Sequence, residues 1–276
     1  MRLAVIGHVE WVELLRVATF PKPGDVVETS EVARGPGGAT VGVALQLRRL
    51  GCAVSLFTRT SAEDLAQDAL RLLRQEGVHI ESTTDPRPQR RVTGLVDGDG
   101  ERTLLIAGEK VFPHGSDDLP WDELATFDAA CLVSGDELAV SHSRRSPILV
   151  GSGRWLPTLR RSGVILDALV GSARDPAERI DADSLVPTPE LLVATDGASG
   201  GQFRSGCDSW RAYEGVPAAR IVDTYGCGDS FLGGIAYGLA RGESHAATVA
   251  FAARCGAACA GGPALSHQLR YEEALA

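Results

Sequence analysis

The segment best suited to chemistry is Asp223-Thr224-Tyr225-Gly226-Cys227-Gly228-Asp229, which combines two carboxylates with two glycines. The glycines let the backbone turn tightly without a clash from Cβ atoms. Apolar residues follow at helical spacing, so we expect the glycines at the N-terminus of a helix. These apolar residues are Phe231, Leu232, Ile235 and Leu239. The free N–H groups and the positive dipole end of such a terminus form a binding site for an anion.

Asp229 lies beside this predicted anion site and is placed to act as a base. Phosphoryl transfer needs donors for the charge on the moving group and a base next to the attacking hydroxyl. The segment alone leaves a second interpretation open, in which Asp229 is only a helix N-cap and the glycines form an ordinary turn. Motifs elsewhere in the chain are needed to choose between these two interpretations.

The first half of the chain alternates strands and helices. The pattern predicts a buried strand over residues 2–7, a loop at Gly35-Pro36-Gly37-Gly38, a helix from Val41 to Leu50, a strand Ala53–Thr58, and a helix capped by Ser61 that ends near Gln75. Gly51 and Gly77 follow the two helices as stop signals. Strands and helices joined by short connections indicate a parallel sheet.

Two stretches break this rhythm. Residues 9–34 alternate weakly and contain a Pro23-Gly24 turn, and residues 90–107 form a hairpin pattern around Asp97-Gly98-Asp99-Gly100. Hairpins are antiparallel, so we expect both stretches outside the parallel sheet, as a small sheet over one end.

The second half returns to the α/β pattern. It predicts strands at Asp128–Val133, Val164–Leu169 and Leu191–Thr195, a strand end at Ile221 and Val222, a helix within residues 140–163, and helices at Asp229–Arg241 and His245–Ala260. We find no internal repeat or linker. The sequence therefore predicts one domain over residues 1–276, with lid segments at about 9–34 and 88–107.

Composition excludes several classes of protein. The chain has 276 residues and a formal net charge of −9, whereas a general nucleic-acid binder is usually basic, so we expect no nucleic-acid polymer as partner. The six cysteines form no C-x-x-C pair, which argues against a zinc site. No apolar run reaches the ~18 residues of a membrane span, and we expect a cytoplasmic protein. A dinucleotide G-x-G-x-x-G after the first strand and a P-loop are both missing.

Three motifs together resemble the ribokinase-like (PfkB-type) carbohydrate kinase family. Asp223–Asp229 matches its D-T-x-G-x-G-D signature, Gly37-Gly38 heads an early helix, and residues 191–201 are similar to its T-x-G-x-x-G segment. They occur in the family's order along nearly the whole chain. The resemblance implies a three-layer α/β/α fold with a mostly parallel central sheet and a small β lid.

The resemblance also implies the activity, which is transfer of phosphate from ATP to a sugar-like polyhydroxy substrate. Asp229 would be the base. The anion hole would be the backbone of Gly226, Cys227 and Gly228. The nucleotide would contact Thr224, Thr195, Gly197, Gly200 and Gly201. The substrate would contact Glu10, Gly37 and Gly38 besides Asp229. Mg²⁺ would arrive with ATP, a monovalent cation is allowed, and a homodimer through the lid is plausible.

Several positions depart from the family pattern. Glu10 and Val12 stand where an Asn and an Asp often bind sugar hydroxyls, and a slip of one residue would offer Glu13 instead. Gly42 replaces an Asn of the early helix. We therefore expect an altered substrate. A nucleoside kinase of the same fold and a non-catalytic sugar or nucleotide sensor both stay open.

Two further departures concern the phosphate region. Asp175-Pro176-Ala177-Glu178 is the best match to an N-x-x-E element that positions Mg²⁺, with Glu178 the better candidate and a solvated helix start the alternative. Cys227 stands where the family usually has Ala. A thiol at a helix N-terminus tends to have a lowered pKa, so oxidation there would block phosphate, unless Cys227 is simply a tolerated small residue.

A few polar and aromatic residues are weaker candidates. Arg102, Thr103, Arg90 and Arg91 lie on the hairpin and would either reach phosphate or substrate or form a solvated edge. Trp11 would stack on a sugar ring or belong to a core. His8 is expected to be a structural hydrogen bonder.

Overall fold

The chain folds into two sheets of very different size. The computed structural model describes residues 1–29, 32–98, 102–218 and 220–262. In this part of the chain the large sheet has nine strands, in the order β13-β12-β11-β10-β9-β8-β1-β4-β5. They are β1 (Arg2–Ile6), β4 (Ala53–Ser61), β5 (His79–Asp85), β8 (Ala129–Leu132), β9 (Leu149–Ser152), β10 (Ala168–Ser172), β11 (Leu191–Thr195), β12 (Gly201–Ser205) and β13 (Arg211–Tyr213).

The large sheet is parallel from β5 to β11, and the two pairings of β12, with β11 and with β13, are antiparallel. Helices cover both of its faces. They are α1 (Ala39–Arg49), α2 (Asp64–Gln75), α3 (Glu137–Ser143), α4 (Leu156–Ser162), α5 (Cys227–Ala240) and α6 (His245–Gly261). Helices α1, α2, α5 and α6 pack into one hydrophobic cluster, and α3 and α4 into the other. The predicted three-layer α/β/α fold is confirmed.

The parallel connections of this sheet explain its burial, because the crossover helices cover both of its faces. Residues 3–6 of β1 are fully buried because helices cover both faces, and the strand is accordingly a continuous apolar run. The carboxyl ends of parallel strands meet at one edge, where loops are free to carry functional groups. No helix among the described residues has the length and apolar character needed to cross a membrane.

The small sheet has the strand order β3-β2-β6-β7. Its members are β2 (Glu10–Arg16), β3 (Val32–Gly37), β6 (Arg91–Val96) and β7 (Arg102–Ala107). Strands β6 and β7 form the predicted hairpin, while β2 pairs in parallel with β6. The two stretches that break the α/β rhythm therefore do form a separate sheet. Residues 99 and 100 of the predicted turn lie outside the described residues.

Two local predictions in the first half are wrong. Gly35–Gly37 belong to β3 instead of a loop, because Gly37 continues the pairing with Glu10. Pro36 is tolerated there since β3 is an edge strand. Ser61 ends β4 and is not the helix cap, although its hydroxyl accepts a hydrogen bond from the N–H of Glu63 at 3.1 Å.

Three strand assignments in the second half also differ from the prediction. Strand β9 was missed inside residues 140–163, and β10 begins only at Ala168 instead of at residue 164. The carboxylate of Asp167 accepts from the N–H of Leu149 at 2.6 Å and thereby ties the start of β9 to the chain before β10. Val222 is not in a strand, since its N–H donates to the carbonyl of Ala260 at the end of α6.

Candidate active site

The glycine-rich turn lies at the N-terminus of α5, as the sequence predicts. Gly226 is the N-cap with φ +82°, a left-handed conformation that favours glycine. A Cβ on Gly228 would meet no atom within 4 Å, so this part of the turn faces open space. Asp229 lies in the first helical turn and is not the N-cap. The first N–H groups of the helix have no carbonyl partner within it, and they form the predicted anion-binding terminus.

Buried polar contacts fix the shape of this turn. Asp223 is buried, and its carboxylate accepts a hydrogen bond from the N–H of Tyr225 at 2.7 Å. The Tyr225 hydroxyl in turn accepts from the N–H of Gly38 at 2.9 Å. This bond joins the turn before α5 to the turn before α1, which are 187 residues apart in the chain.

The double glycine is required by close packing. A Cβ on Gly37 would lie 2.3 Å from Cγ2 of Val12 and 2.8 Å from the hydroxyl of Tyr225. Gly38 has φ +89°, and a Cβ there would lie 3.3 Å from Oε2 of Glu10. The backbone of Gly37 and Gly38 therefore borders both Glu10 and the motif tyrosine.

Glu10 is buried and already has two partners. Its Oε1 lies 2.7 Å from Nε of Arg90 and 3.4 Å from Nε2 of His8. Burial raises the pKa of Glu10, but the hydrogen bond from His8 and the charge of Arg90 outweigh it and lower the pKa below its ordinary value. The carboxylate thus stays ionised. Val12 points to the same face as Glu10 and is fully buried, while Glu13 points to the opposite face.

His8 is a structural hydrogen bonder, as its position suggests. Its Nδ1 lies 2.8 Å from the hydroxyl of Ser134, and that oxygen also accepts from the N–H of His8. Burial lowers the pKa of His8 despite the nearby Glu10, so the ring is neutral at pH 7. A neutral ring with its proton on Nε2 can donate to Glu10 and accept from Ser134 at once.

Contacts through Gly38 connect Tyr225 with Glu10. The N–H of Gly38 donates to the Tyr225 hydroxyl, and a Cβ on Gly38 would lie 3.3 Å from Oε2 of Glu10. Asp229 follows Tyr225 by four positions, in the first turn of α5. Burial raises the pKa of the Tyr225 phenol, the hydrogen bond with Gly38 opposes this, and the carboxylates of Asp229 and Glu10 raise it further.

The small sheet contributes an arginine to the same place. Nη1 of Arg102 donates to the hydroxyl of Thr224 at 2.5 Å, and its guanidinium lies 5.7 Å from the centre of the Tyr225 ring. Arg90 also turns inward, toward Glu10, whereas Arg91 and Thr103 are exposed. Arg90 and Arg102 of the hairpin region therefore point inward, whereas its other polar residues face solvent. Trp11 is half-buried and packs against the main core.

The predicted nucleotide loop has a tightly packed backbone. A Cβ on Gly200 would lie 2.1 Å from the carbonyl oxygen of Tyr213, and one on Gly201 would lie 2.3 Å from that of Ala194. The hydroxyl of Thr195 donates to the carbonyl of Gly171 at 3.1 Å. Gly200 and Gly201 are therefore required by packing, because the neighbouring backbone leaves no room for a Cβ atom, independently of any ligand.

An arginine that the sequence analysis did not single out lies across this loop. Nε of Arg174 contacts the carboxylate of Asp196 at 2.7 Å, and a Cβ on Gly197 would lie 2.9 Å from the Arg174 guanidinium. The side chain is largely exposed. Its position after β10 could have been found from the rule that loops at the carboxyl ends of parallel strands carry function.

Asp175 and Glu178 lie together and share an arginine. Nη2 of Arg154 is 2.6 Å from each carboxylate, and Asp175 also accepts from the N–H of Ala177. That backbone bond and the charge of Arg154 lower the pKa of Asp175. Among the described residues, no group of three or more His, Cys, Asp or Glu side chains could hold a metal ion. Mg²⁺ and the monovalent cation both stay predictions.

The thiol of Cys227 does not have the lowered pKa of the first interpretation, and the alternative, a tolerated small residue, stays open. A hydrogen bond with the thiol of Cys259, together with burial, raises the pKa of Cys227. Cys259 lies on α6 and also donates to the carbonyl of Tyr225 at 3.4 Å. The thiol of Cys227 is therefore neutral. Although it lies at the N-terminus of α5, the contact with Cys259 of α6 and burial raise its pKa.

Comparison with known proteins adds independent evidence. The model of the "pfkB family carbohydrate kinase" matches residues 1–147 and 165–269. The ribokinase of Mus musculus is 25% identical over 256 residues, covering 80% of this chain and 76% of that protein.

Solved structures show the same fold. An Arabidopsis thaliana ribokinase complexed with ribose and ATP has a TM-score of 0.76 at 17% identity, covering 99% of this chain and 97% of that one. A Burkholderia thailandensis nucleoside kinase in complex with inosine has a TM-score of 0.75 at 18% identity, covering 99% and 96%. The fold prediction is therefore confirmed.

The bond between Tyr225 and Gly38 leads to a prediction about stability. We expect Tyr225→Phe to lower the free energy of unfolding by about 1–3 kcal/mol, because the buried N–H of Gly38 would lose its acceptor. Denaturant unfolding would measure the change.

The control is Tyr213→Phe, because Tyr213 is half-buried and its hydroxyl makes no hydrogen bond within the described residues. Equal decreases of the free energy of unfolding in the two variants would show that removal of a hydroxyl causes the destabilisation, and not loss of the bond to Gly38.

Proposed function

Because the chain belongs to the pfkB family of carbohydrate kinases, we propose that it transfers the γ-phosphate of ATP to a hydroxyl of a sugar-like small molecule. The observation that carries this proposal is the position of Asp229 in the first turn of α5, directly after the glycine-rich turn whose Tyr225 accepts a hydrogen bond from Gly38. A carboxylate next to an anion-binding helix terminus is suited to transfer of phosphate to an alcohol.

In the proposed reaction the acceptor lies against the backbone of Gly37 and Gly38. Asp229 accepts the proton of the acceptor hydroxyl as its oxygen forms a bond to the γ-phosphorus. The bond from that phosphorus to the bridging oxygen breaks, and ADP leaves with the electron pair. Backbone N–H groups of Gly226, Cys227 and Gly228 stabilise the negative charge of the transferring group.

Two further contacts support this assignment. Arg102 places a guanidinium beside Thr224, where it adds positive charge next to the proposed anion hole. Arg174 lies across the loop proposed to contact the nucleotide. Mg²⁺ enters only as Mg-ATP, the usual form in which kinases hold it, and Glu178 is at most an indirect contact to it.

We further propose that both sheets belong to one kinase domain, in which the small sheet is a lid. Glu10 and Gly37 lie at the ends of β2 and β3 that border the site, so motion of this sheet would open or close it. Closure would exclude water and limit hydrolysis of ATP.

The outer strand of the small sheet supports a homodimer. Strand β7 is an edge strand, and its apolar residues Leu105 and Ile106 are 57% and 53% exposed. An exposed apolar edge strand is suited to pairing with another copy of the chain. Sedimentation at micromolar concentration would show twice the chain mass if this pairing occurs, and the mass of a single chain would exclude it.

A nucleoside is the second candidate acceptor. The likeness to the nucleoside kinase with bound inosine favours it, since the two chains align over nearly their whole lengths. A sensor without catalytic activity is the remaining alternative. A panel of pentoses, hexoses, their monophosphates and nucleosides would separate these acceptors by measuring ADP release from Mg-ATP.

Asp229→Asn should lower turnover at least about 100-fold, because the variant loses its general base. ADP release with the best acceptor would measure turnover, and ATP binding should persist, as checked by a nucleotide-induced thermal shift. Unchanged turnover would remove Asp229 from the role of base. Binding of acceptors without any ADP release from the native chain would favour the sensor.

Arg102→Gln should lower turnover about 10- to 100-fold, the range expected for losing one charge-assisted hydrogen bond to the transferring group. Steady-state kinetics with saturating Mg-ATP would test this.

The matched control is Arg91→Gln, which removes an exposed arginine of the neighbouring strand. If both variants lose turnover equally, the effect comes from the hairpin's charge and not from the contact with Thr224.

A further inference from the structure

Within the described residues, the chain passes between the large domain and the small sheet four times. It does so from β1 to β2, from β3 to α1, from β5 to β6, and after β7. The contacts among these four connections therefore decide how the small sheet is held. One of them, the connection from β3 to α1, is fixed by the bond between Gly38 and Tyr225.

Gln89 lies in the connection from β5 to β6 and is only 3% exposed. Its Nε2 donates to the carbonyl of Val9 at 2.8 Å and to the carbonyl of Arg90 at 3.3 Å, which uses both hydrogens of the amide. Its backbone N–H donates at 2.9 Å to Oε2 of Glu63, the N-cap residue of α2. One buried residue therefore joins the connection before β2 to the connection before β6 and attaches both to the large domain.

These bonds enclose Glu10 from both sides. Gln89 binds the carbonyl of Val9, directly before Glu10. The N–H of Trp11, directly after Glu10, donates to the carbonyl of Arg90 at 3.1 Å. The Glu10 carboxylate itself lies 2.7 Å from Nε of Arg90. The backbone on each side of Glu10 and its side chain are thus all held by residues 89 and 90.

The connection after β7 is tied to the same segment. Nη1 of Arg90 donates to the carbonyl of Gly108 at 3.3 Å, and Nη1 of Arg87 lies 3.2 Å from Oε2 of Glu109. Nε of Arg87 also pairs at 2.8 Å with Asp85, a carboxylate that is 2% exposed. The connections from β1, from β5 and after β7 therefore meet in this one segment.

Resting on the proposed function, we infer that Gln89 is a positioning residue for the acceptor. It acts through Glu10, whose carboxylate is proposed to contact the acceptor, and it fixes that carboxylate relative to the large domain through Glu63. A small displacement of a group that orients a substrate weakens the reaction steeply. Asp229 lies on α5, away from the bonds of Gln89, so the effect of Gln89 concerns the acceptor and not the nucleotide.

Steady-state kinetics of Gln89→Met test this role, because methionine keeps the length of the side chain and removes both donors. We expect kcat/KM for the best acceptor of the sugar and nucleoside panel to fall about 10- to 100-fold, mainly through a higher KM. The KM for Mg-ATP should stay within about two-fold of the native value. An unchanged KM for the acceptor, or equal rises of both KM values, would overturn the inference.

The matched control is Gln67→Met. Nε2 of Gln67 also donates to a backbone carbonyl, that of Ser61 at 3.4 Å, but Gln67 lies on α2 in the large domain. Both KM values of this variant should equal the native ones. A rise of the acceptor KM as large as in Gln89→Met would show that loss of either glutamine contact has the same effect, and would also overturn the inference.

A double-mutant cycle tests whether Gln89 acts through Glu10. If it does, Gln89→Met should lower kcat/KM for the acceptor by less than about two-fold when Glu10→Gln is already present, since the carboxylate that it positions is gone. Additive losses would mean that Gln89 acts independently of Glu10, and the positioning role would be wrong.

Hydrogen exchange of the protein without substrate separates this inference from the proposed function. We expect Gln89→Met to speed exchange in β2 and β6 and to leave β1 and β4 at the native rates, since the lost bonds hold the small sheet. Faster exchange in both sheets alike, or in neither, would contradict the inference. No ADP release with any acceptor would contradict the kinase, while the exchange rates would still decide whether Gln89 fixes the small sheet.

Discussion

The hydrogen bond between Tyr225 and Gly38 is the constraint on which the site depends. It connects the N-terminal turns of α1 and α5 across 187 residues of chain. The bond forms only because Gly37 lacks a Cβ, since that atom would lie inside the space of Val12 and close to the phenol. Gly37, Gly38 and Tyr225 thereby fix the turn before α1 relative to the turn before α5, which carries the proposed base.

Burial of charge is the second organising feature. Glu10 and Arg90 come from distant parts of the chain and form a largely buried ion pair. A buried pair is weak evidence for stability, because the desolvation of both charges offsets their attraction. Such a pair does fix the positions of its members.

Different physical origins explain which predictions were right. Apolar periodicity depends on neighbours in sequence, so it located α5, α6 and β11 within a residue or two. Strand β9 was missed because its four residues are buried on both faces and show no alternation. A lowered pKa of the Cys227 thiol could not be excluded from the sequence, because Cys259, whose hydrogen bond raises that pKa, lies 32 positions later in the chain.

The sequence by itself determined the α/β layers, the separate small sheet, and the glycine-rich turn with Asp229 at the start of a helix. Each follows from local spacing, and local spacing is sufficient because backbone geometry repeats every two or 3.6 residues. Three-dimensional packing alone reveals that Arg90 pairs with Glu10 and that Arg102 reaches Thr224. Charges interact through space, and the distances between them are set by how strands and loops from remote parts of the chain pack together.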